Sequence, residues 1–221
     1  MNDSELELAQ LLCTRLCHDL AGPIGAVAAG VELIGGDPAA ADAETLGLIG
    51  SSSAAASLKL KFIRAALGAA GGVAGAMDME ALLDGYLGAT AGMDGKPSVR
   101  WPAPAAFERF AAAAGPPWRQ AVLNLCLAAL EMQPGCRELA VTVDGQAPKV
   151  TVEAKGHAAR STARRDDLEA ALTGQGTASK ALSAKTIQAF LAGRMIRAAG
   201  GKVQVAPQDG AVTVSASFED R

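Results

Sequence analysis

The chain has 221 residues, room for one large domain or two small ones with a real core. Apolar residues make up 50% and aromatics only 4%, so Ala and Gly supply much of the count and cores of closely approached helices are expected. A net charge of −3 without a long basic block excludes a nucleic-acid footprint.

The acidic start, residues 1–10, lacks a signal-peptide charge pattern, and no uninterrupted apolar run approaches the length of a membrane span. A soluble cytoplasmic protein is expected. Cys13, Cys17, Cys126 and Cys136 fit no secreted disulfide spacing. Cys13 and Cys17 sit one helical turn apart and read as two buried thiols rather than a metal pair.

Asn2, Asp3 or Ser4 can cap a helix starting near Glu5, where acidic residues suit the helix dipole. Leu12, Cys13, Leu16, Leu20, Ile24, Val27, Val31 and Ile34 follow in steps of mostly three and four, one apolar stripe. At about 100° per residue, His18 lies about 160° from Leu20, on the face opposite that stripe. A lone helical His is commonly a hydrogen-bonded core residue, but this phase points it at solvent or a partner. Its neighbours on the outer face are Leu11, Thr14, Arg15, Ala21, Gly22, Gly25 and Ala29. Each Gly there costs about 1 kcal/mol of helix propensity, and Pro23 roughly 3 kcal/mol, usually with a kink. Close approach of another protein's backbone explains such a clearing. The stripe continuing to Val31 argues against Gly22-Pro23 simply ending the helix.

Asp19 can fix the tautomer of the His18 imidazole or accept its proton. Neutral imidazole is a competent nucleophile near neutral pH, and phosphoryl transfer needs mainly in-line positioning and charge neutralisation. The helix has no acidic Mg cluster and no phosphate loop, so a partner must bring them.

Residues 18–23, HDLAGP, resemble the H-box of bacterial sensor histidine kinases: His, then an acid, with Pro five residues on. Residues 12–33, LCTRLCHDLAGPIGAVAAGVEL, are more closely similar to the ChpT family of histidine phosphotransferases. In that family a homodimer relays phosphate from the receiver domain of a hybrid kinase to response regulators. The resemblance implies that His18 is the phosphorylated histidine and Asp19 the acid beside it. It also implies a CckA-like donor, and CtrA-like and CpdR-like acceptors whose receivers supply Mg. No cofactor of the chain's own is expected.

Gly35-Gly36-Asp37-Pro38 is a turn signal. A second helix is expected over residues 40–67, with Leu46, Ile49, Ser53, Ala56, Leu60, Ile63 and Leu67 at heptad steps. The Ser/Ala run at 51–57 reads as a small-residue helix middle, because the heptads cross it. The seam of this hairpin is too large for one copy, so two hairpins should close a four-helix bundle in a homodimer. Lys59, Lys61 and Arg64 read as a solvated face.

Residues 69–76 read as a hinge between a hairpin domain, 1–70, and a second domain, 77–221. Helices are expected at 78–87, 105–114, from Pro116-Pro117 to about 132, and 182–199. Strands are expected at 98–101, 139–143 and 149–154, then a final hairpin, 202–206 with 211–218, turning at Gln208-Asp209-Gly210. The class is α+β: a helical hairpin followed by an α/β sandwich. The order resembles the ATP-binding Bergerat (GHKL) fold of histidine kinases, with departures. Residues 124–129, NLCLAA, look like the N-box, but Ala128 stands where the metal-binding Asn belongs. Residues 150–158 look like the strand into the Asp-x-Gly-x-Gly box, but Ala154 replaces the adenine-reading Asp and Ala158 the second Gly. No Gly-rich lid precedes the last long helix, and Gly174-x-Gly176 is weak as a phosphate loop. These losses imply a pseudo-kinase that does not bind ATP.

His157 has no partner ligands at metal spacing and reads as an exposed loop residue. Arg160, Arg164, Arg165, Asp166 and Asp167 read as a solvated mixed-charge loop or helix start. Two other functions fit parts of the sequence. An active histidine kinase fits His18 but not the broken boxes. A non-enzymatic dimeric scaffold or inhibitor would leave His18 incidental.

Overall fold

Pro23 does not end the first helix: α1 runs unbroken over Asp3–Gly36. The computed structural model describes residues 3–37, 39, 41–68, 76–91, 95–114, 118–157, 163–175 and 182–218. Of the expected hinge at 69–76, Ala76 already begins a helix; residues 69–75, Pro116-Pro117, Ala158, Arg160 and Gly176 lie outside them. After α1 come α2 (Ala43–Leu67), α3 (Ala76–Thr90), β1 (Ser98–Arg100), α4 (Pro104–Ala114) and α5 (Trp118–Met132). Then follow β2 (Cys136–Asp144), β3 (Lys149–Gly156), α6 (Ala163–Thr173), α7 (Ile187–Ala198), β4 (Lys202–Gln208) and β5 (Ala211–Ser217).

The α1–α2 hairpin turns at Asp42, whose carboxylate accepts from the Thr45 N–H at 2.8 Å and caps α2. This start is three residues later than the expected 40. The helices meet closely because Gly30 has no side chain; a β carbon there would stand 2.6 Å from Ile49 Cγ1. Gly85 on α3 plays the same part against Leu58 of α2, at 2.8 Å.

The heptad rows do not form one buried seam. Ile63 of α2 is buried and Ile49 is half-buried, while Ile24, Val31, Leu46 and Leu60 remain 53–56% exposed. Each helix therefore has one apolar face against its neighbour and a second facing outward. Cys13 and Cys17 share the outward face of α1 and are exposed, which corrects the expectation of buried thiols.

The sheet order is β1-β2-β3-β5-β4, with β1 parallel to β2 and the other neighbours antiparallel. Alternation puts Val150, Val152, Ala154, Val212, Val214 and Ala216 on a buried face against the helices. The other face, with Thr151, Glu153 and Lys155, is open, giving the two layers of the expected α/β sandwich. The Asp209-Gly210 turn is present, with Gly210 at φ 68°. Gly156 is glycine for a backbone reason: a β carbon there would lie 2.3 Å from the Gly135 carbonyl oxygen.

Two expectations change. Few aromatics did not mean no aromatic core: Trp101, Phe107, Phe110 and Trp118 cluster with ring centroids 5.2–6.2 Å apart. The charged segment read as solvated is helix α6. It buries Leu168, Ala171 and Leu172 at i, i+3 and i+4, together with Arg165. The Arg165 guanidinium is buried because it is satisfied, donating to Met132 O at 3.3 Å and Gln133 Oε1 at 3.4 Å.

One core joins the last turns of α2 to the second domain. Phe62, Ala65 and Ala66 of α2 belong to the same buried cluster as α3, α5, α7 and the sheet. Phe62 stacks on Tyr86 at 4.3 Å, so the last turns of α2 are rooted in the second domain. Over Ser4–Gly36, α1 is long and apolar enough to cross a membrane by length and composition alone, with an 18-residue window of mean hydropathy 1.2. Counting uninterrupted apolar runs missed this, because Arg15, His18 and Asp19 divide the helix. Arg15 and the Asp19 carbonyl also tie the helix to α5 and α2.

Candidate functional site

His18 stands on α1 with its side chain 85% exposed. Its Nδ1 lies 3.4 Å from Asp19 Oδ1. When Nδ1 carries the proton it donates to that oxygen, and the Nε2 lone pair is left facing outward. Ala21, Gly22 and Gly25 are exposed, and a β carbon on either glycine would meet nothing within 4 Å. Their smallness is not required by anything inside the chain. Thr14 is exposed, its hydroxyl donating to Gln10 O at 2.9 Å, and Leu11 is half-buried.

Arg15 does not belong with these outward residues. Its side chain is only 13% exposed and is committed on two sides. Nε donates to Asp19 Oδ2 at 2.7 Å, and Nη2 donates to Glu131 Oε1 on α5. Phase places it at the edge of the outer face, where the second domain covers most of its side chain. Burial disfavours its charge, but the Glu131 carboxylate and the hydrogen bonds to Asp19 and Glu131 outweigh that and raise its pKa. Tyr86 lies beneath; burial foremost, then the charges of Asp19 and Glu131, push its phenol up.

Pro23 has no N–H, so the helical partner of the Asp19 carbonyl, four residues back, is missing. Lys59 of α2 takes that place, donating from Nζ to Asp19 O at 3.3 Å. Lys59 is half-buried, not part of a free solvated face; Lys61 and Arg64 are exposed. Both ends of Asp19 are thus held, the carboxylate by Arg15 and the carbonyl by Lys59.

Asn124, Ala128 and Ala154 of the kinase-like boxes are turned into the protein's own interior. Asn124 is buried and donates from Nδ2 to Ala66 O of α2 at 2.7 Å and to Gln120 O at 2.8 Å. Its Oδ1 faces Gln188 Nε2 of α7 at 3.4 Å. Ala128 and Ala154 are buried among apolar neighbours. His157 is exposed, and its carbonyl accepts from Gln133 Nε2 at 2.6 Å. Among the described residues, no three His, Cys, Asp or Glu side chains gather to hold a metal ion.

The residues that sequence reasoning missed are Glu131 and, in its actual role, Lys59. The missing N–H of Pro23 did signal an orphaned carbonyl at Asp19. Nothing local pointed to Glu131, which lies 116 residues from Arg15.

A hairpin that presents one exposed histidine beside a fixed acid, rooted in a two-layer α/β domain, has the architecture of a phosphotransfer protein. Residues 76–211 match the family model of the histidine phosphotransferase C-terminal domain. A segment of 68 residues is 47% identical to the protein phosphotransferase ChpT of Brucella abortus (strain 2308), spanning 31% of this chain and about a third, 32%, of that relative. A solved structure of a bacterial phosphotransferase superposes with a TM-score of 0.71 over 98% of both chains; at 24% identity this shows the shared fold. The chain belongs to the histidine phosphotransferase family.

Proposed function

We propose that this protein relays a phosphoryl group through His18 from the receiver domain of a hybrid histidine kinase to the receivers of response regulators. The observation that carries this is the His18 ring, exposed among small residues, with Asp19 behind Nδ1. In the first half-reaction the Nε2 lone pair attacks the phosphorus of the donor's aspartyl phosphate. The P–N bond forms, the P–O bond breaks, and the donor carboxylate leaves with its electron pair. Nδ1 keeps its proton, so the phosphorylated ring is cationic and Asp19 balances that charge. In the second half-reaction the acceptor's carboxylate attacks phosphorus, and the P–N electron pair returns to Nε2. No proton is gained or lost overall, which favours a reversible relay. Each receiver brings Mg in its own acidic pocket.

Asn124, spent on Ala66 and facing Gln188, supports a domain that does not bind ATP. The outward apolar rows support a homodimeric four-helix bundle. The donor is CckA-like and the acceptors CtrA-like and CpdR-like by family resemblance, in the cytoplasm where such receivers work.

The test is transfer from a phosphorylated donor receiver, with and without an acceptor. Label should pass to the wild type and on to the acceptor, and His18→Ala should take none. Equal label on His18→Ala would sink the relay. Labelling by ATP alone would turn the reading to an active kinase.

A further inference from the structure

We propose that Glu131 is a positioning residue for the relay histidine, acting from the second domain through Arg15 and Asp19. This rests on the relay role of His18 and adds what holds that histidine ready. The contacts form an unbroken row. Glu131 on α5 accepts from Arg15 Nη2, Arg15 Nε donates to Asp19 Oδ2, and Asp19 Oδ1 faces His18 Nδ1 at 3.4 Å. Exposure falls steeply along it, from 85% at His18 to 19% at Asp19, 13% at Arg15 and 10% at Glu131. The nucleophile is in water while the groups that orient it are anchored in protein.

The chemistry needs that anchoring. An exposed imidazole turns freely and exchanges its proton between two nitrogens. Only the Nδ1–H tautomer offers the Nε2 lone pair outward, and only a carboxylate held opposite Nδ1 selects it. Asp19 has its own torsions and would swing toward solvent if Arg15 did not grip its other oxygen. Arg15 in turn has a long, flexible stem, and the pairing with Glu131 fixes where its fork lies. Glu131 is not spare surface. It lies on the helix whose Asn124 donates to Ala66 O, so α5 meets the hairpin at two levels. Among the described residues, Lys59 from α2, Tyr86 from α3 and Arg164 from α6 face this network. A degenerate kinase domain thereby has a task that needs no nucleotide.

The experiment joins two readouts on the full-length protein. Long-range proton–nitrogen NMR on histidine-labelled protein reads the His18 tautomer without any partner. Single-turnover transfer from a phosphorylated receiver, over a range of receiver concentrations, separates docking from chemistry. In Glu131→Ala the Nδ1–H tautomer should lose its majority. The saturating transfer rate should fall on the order of tenfold, as for supporting groups behind a reactive one, with half-saturation unchanged. Glu131→Gln keeps an acceptor for Arg15, retains the fold and should fall between wild type and Ala. The swap Arg15→Glu with Glu131→Arg restores the pairing between helices but turns a carboxylate toward Asp19. It should melt like the wild type and still transfer slowly. Wild-type tautomer balance in Glu131→Ala, or wild-type rate in the swap, would overturn the positioning role while leaving the relay intact. Should His18 take no label in the wild type, the relay itself would be at fault, and the tautomer spectra would still decide what Glu131 does.

Discussion

Asp19 is held by its backbone as well as its side chain, and the backbone hold depends on Lys59. Pro23 leaves the Asp19 carbonyl without a helical donor, and a half-buried carbonyl left unpaired is costly. Lys59→Met keeps most of the stem and removes the donor. We expect it to lower stability by about 1 kcal/mol in urea unfolding and to slow transfer at saturating receiver. Unchanged stability would mean that water replaces Lys59 at that carbonyl. The clearing around His18 makes the opposite kind of prediction. A β carbon at Gly25 meets nothing, so Gly25→Arg and Ala21→Glu should leave the melting temperature within a few degrees and block receiver docking. Normal transfer in both variants would misplace the docking face. The clearing and the outward His18 were legible because helical phase is a local property of sequence. Arg15 was legible only as a residue on that face. Its partner lies 116 residues away, and no local pattern carries that distance.

At the scale of elements, α1 and α2 touch where side chains are smallest. Gly30 is buried against Ile49, and any larger residue must displace it. Gly30→Val should destabilise the protein by about 1–3 kcal/mol through overpacking, measured by denaturant midpoint. Ile49→Ala should restore part of that loss, because the two side chains compete for one space. Simple additivity of the two losses would show that the helices separate rather than clash. The hairpin, the antiparallel strands and the Asp209-Gly210 turn could be read from periodicity and turn chemistry. Helix α6 could not, because its segment opens with Arg164, Arg165, Asp166 and Asp167 and carries few apolar residues. Arg165 looks solvated in sequence and is buried in fact, since only the fold brings Met132 O and Gln133 to it.

At the scale of the molecule, the outward apolar rows ask for a second copy. Ile24 and Val31 on α1 are seven residues apart, and Leu46 and Leu60 on α2 fourteen, so each pair keeps one heptad face. All four are more than half exposed, while the second domain buries its own core without them. Completing their burial would contribute about 1 kcal/mol or more apiece, doubled by symmetry, which suits a bundle of two hairpins. Ile24→Glu with Leu60→Glu would set unpaired charges into that seam on both copies. If two hairpins close the bundle, sedimentation should report a dimer for the wild type and a monomer for this variant. The near-ultraviolet signal of the Trp101–Phe107–Trp118 cluster should persist, because it lies in the second domain. His18 lies about 120° around α1 from Ile24, at about 100° per residue, so the seam and the histidine occupy different faces. The monomer should therefore still accept phosphate from a receiver, more slowly if docking spans both hairpins and at the wild-type rate if one suffices. A dimer that survives both charges would place the interface on another face and leave these rows to a different partner.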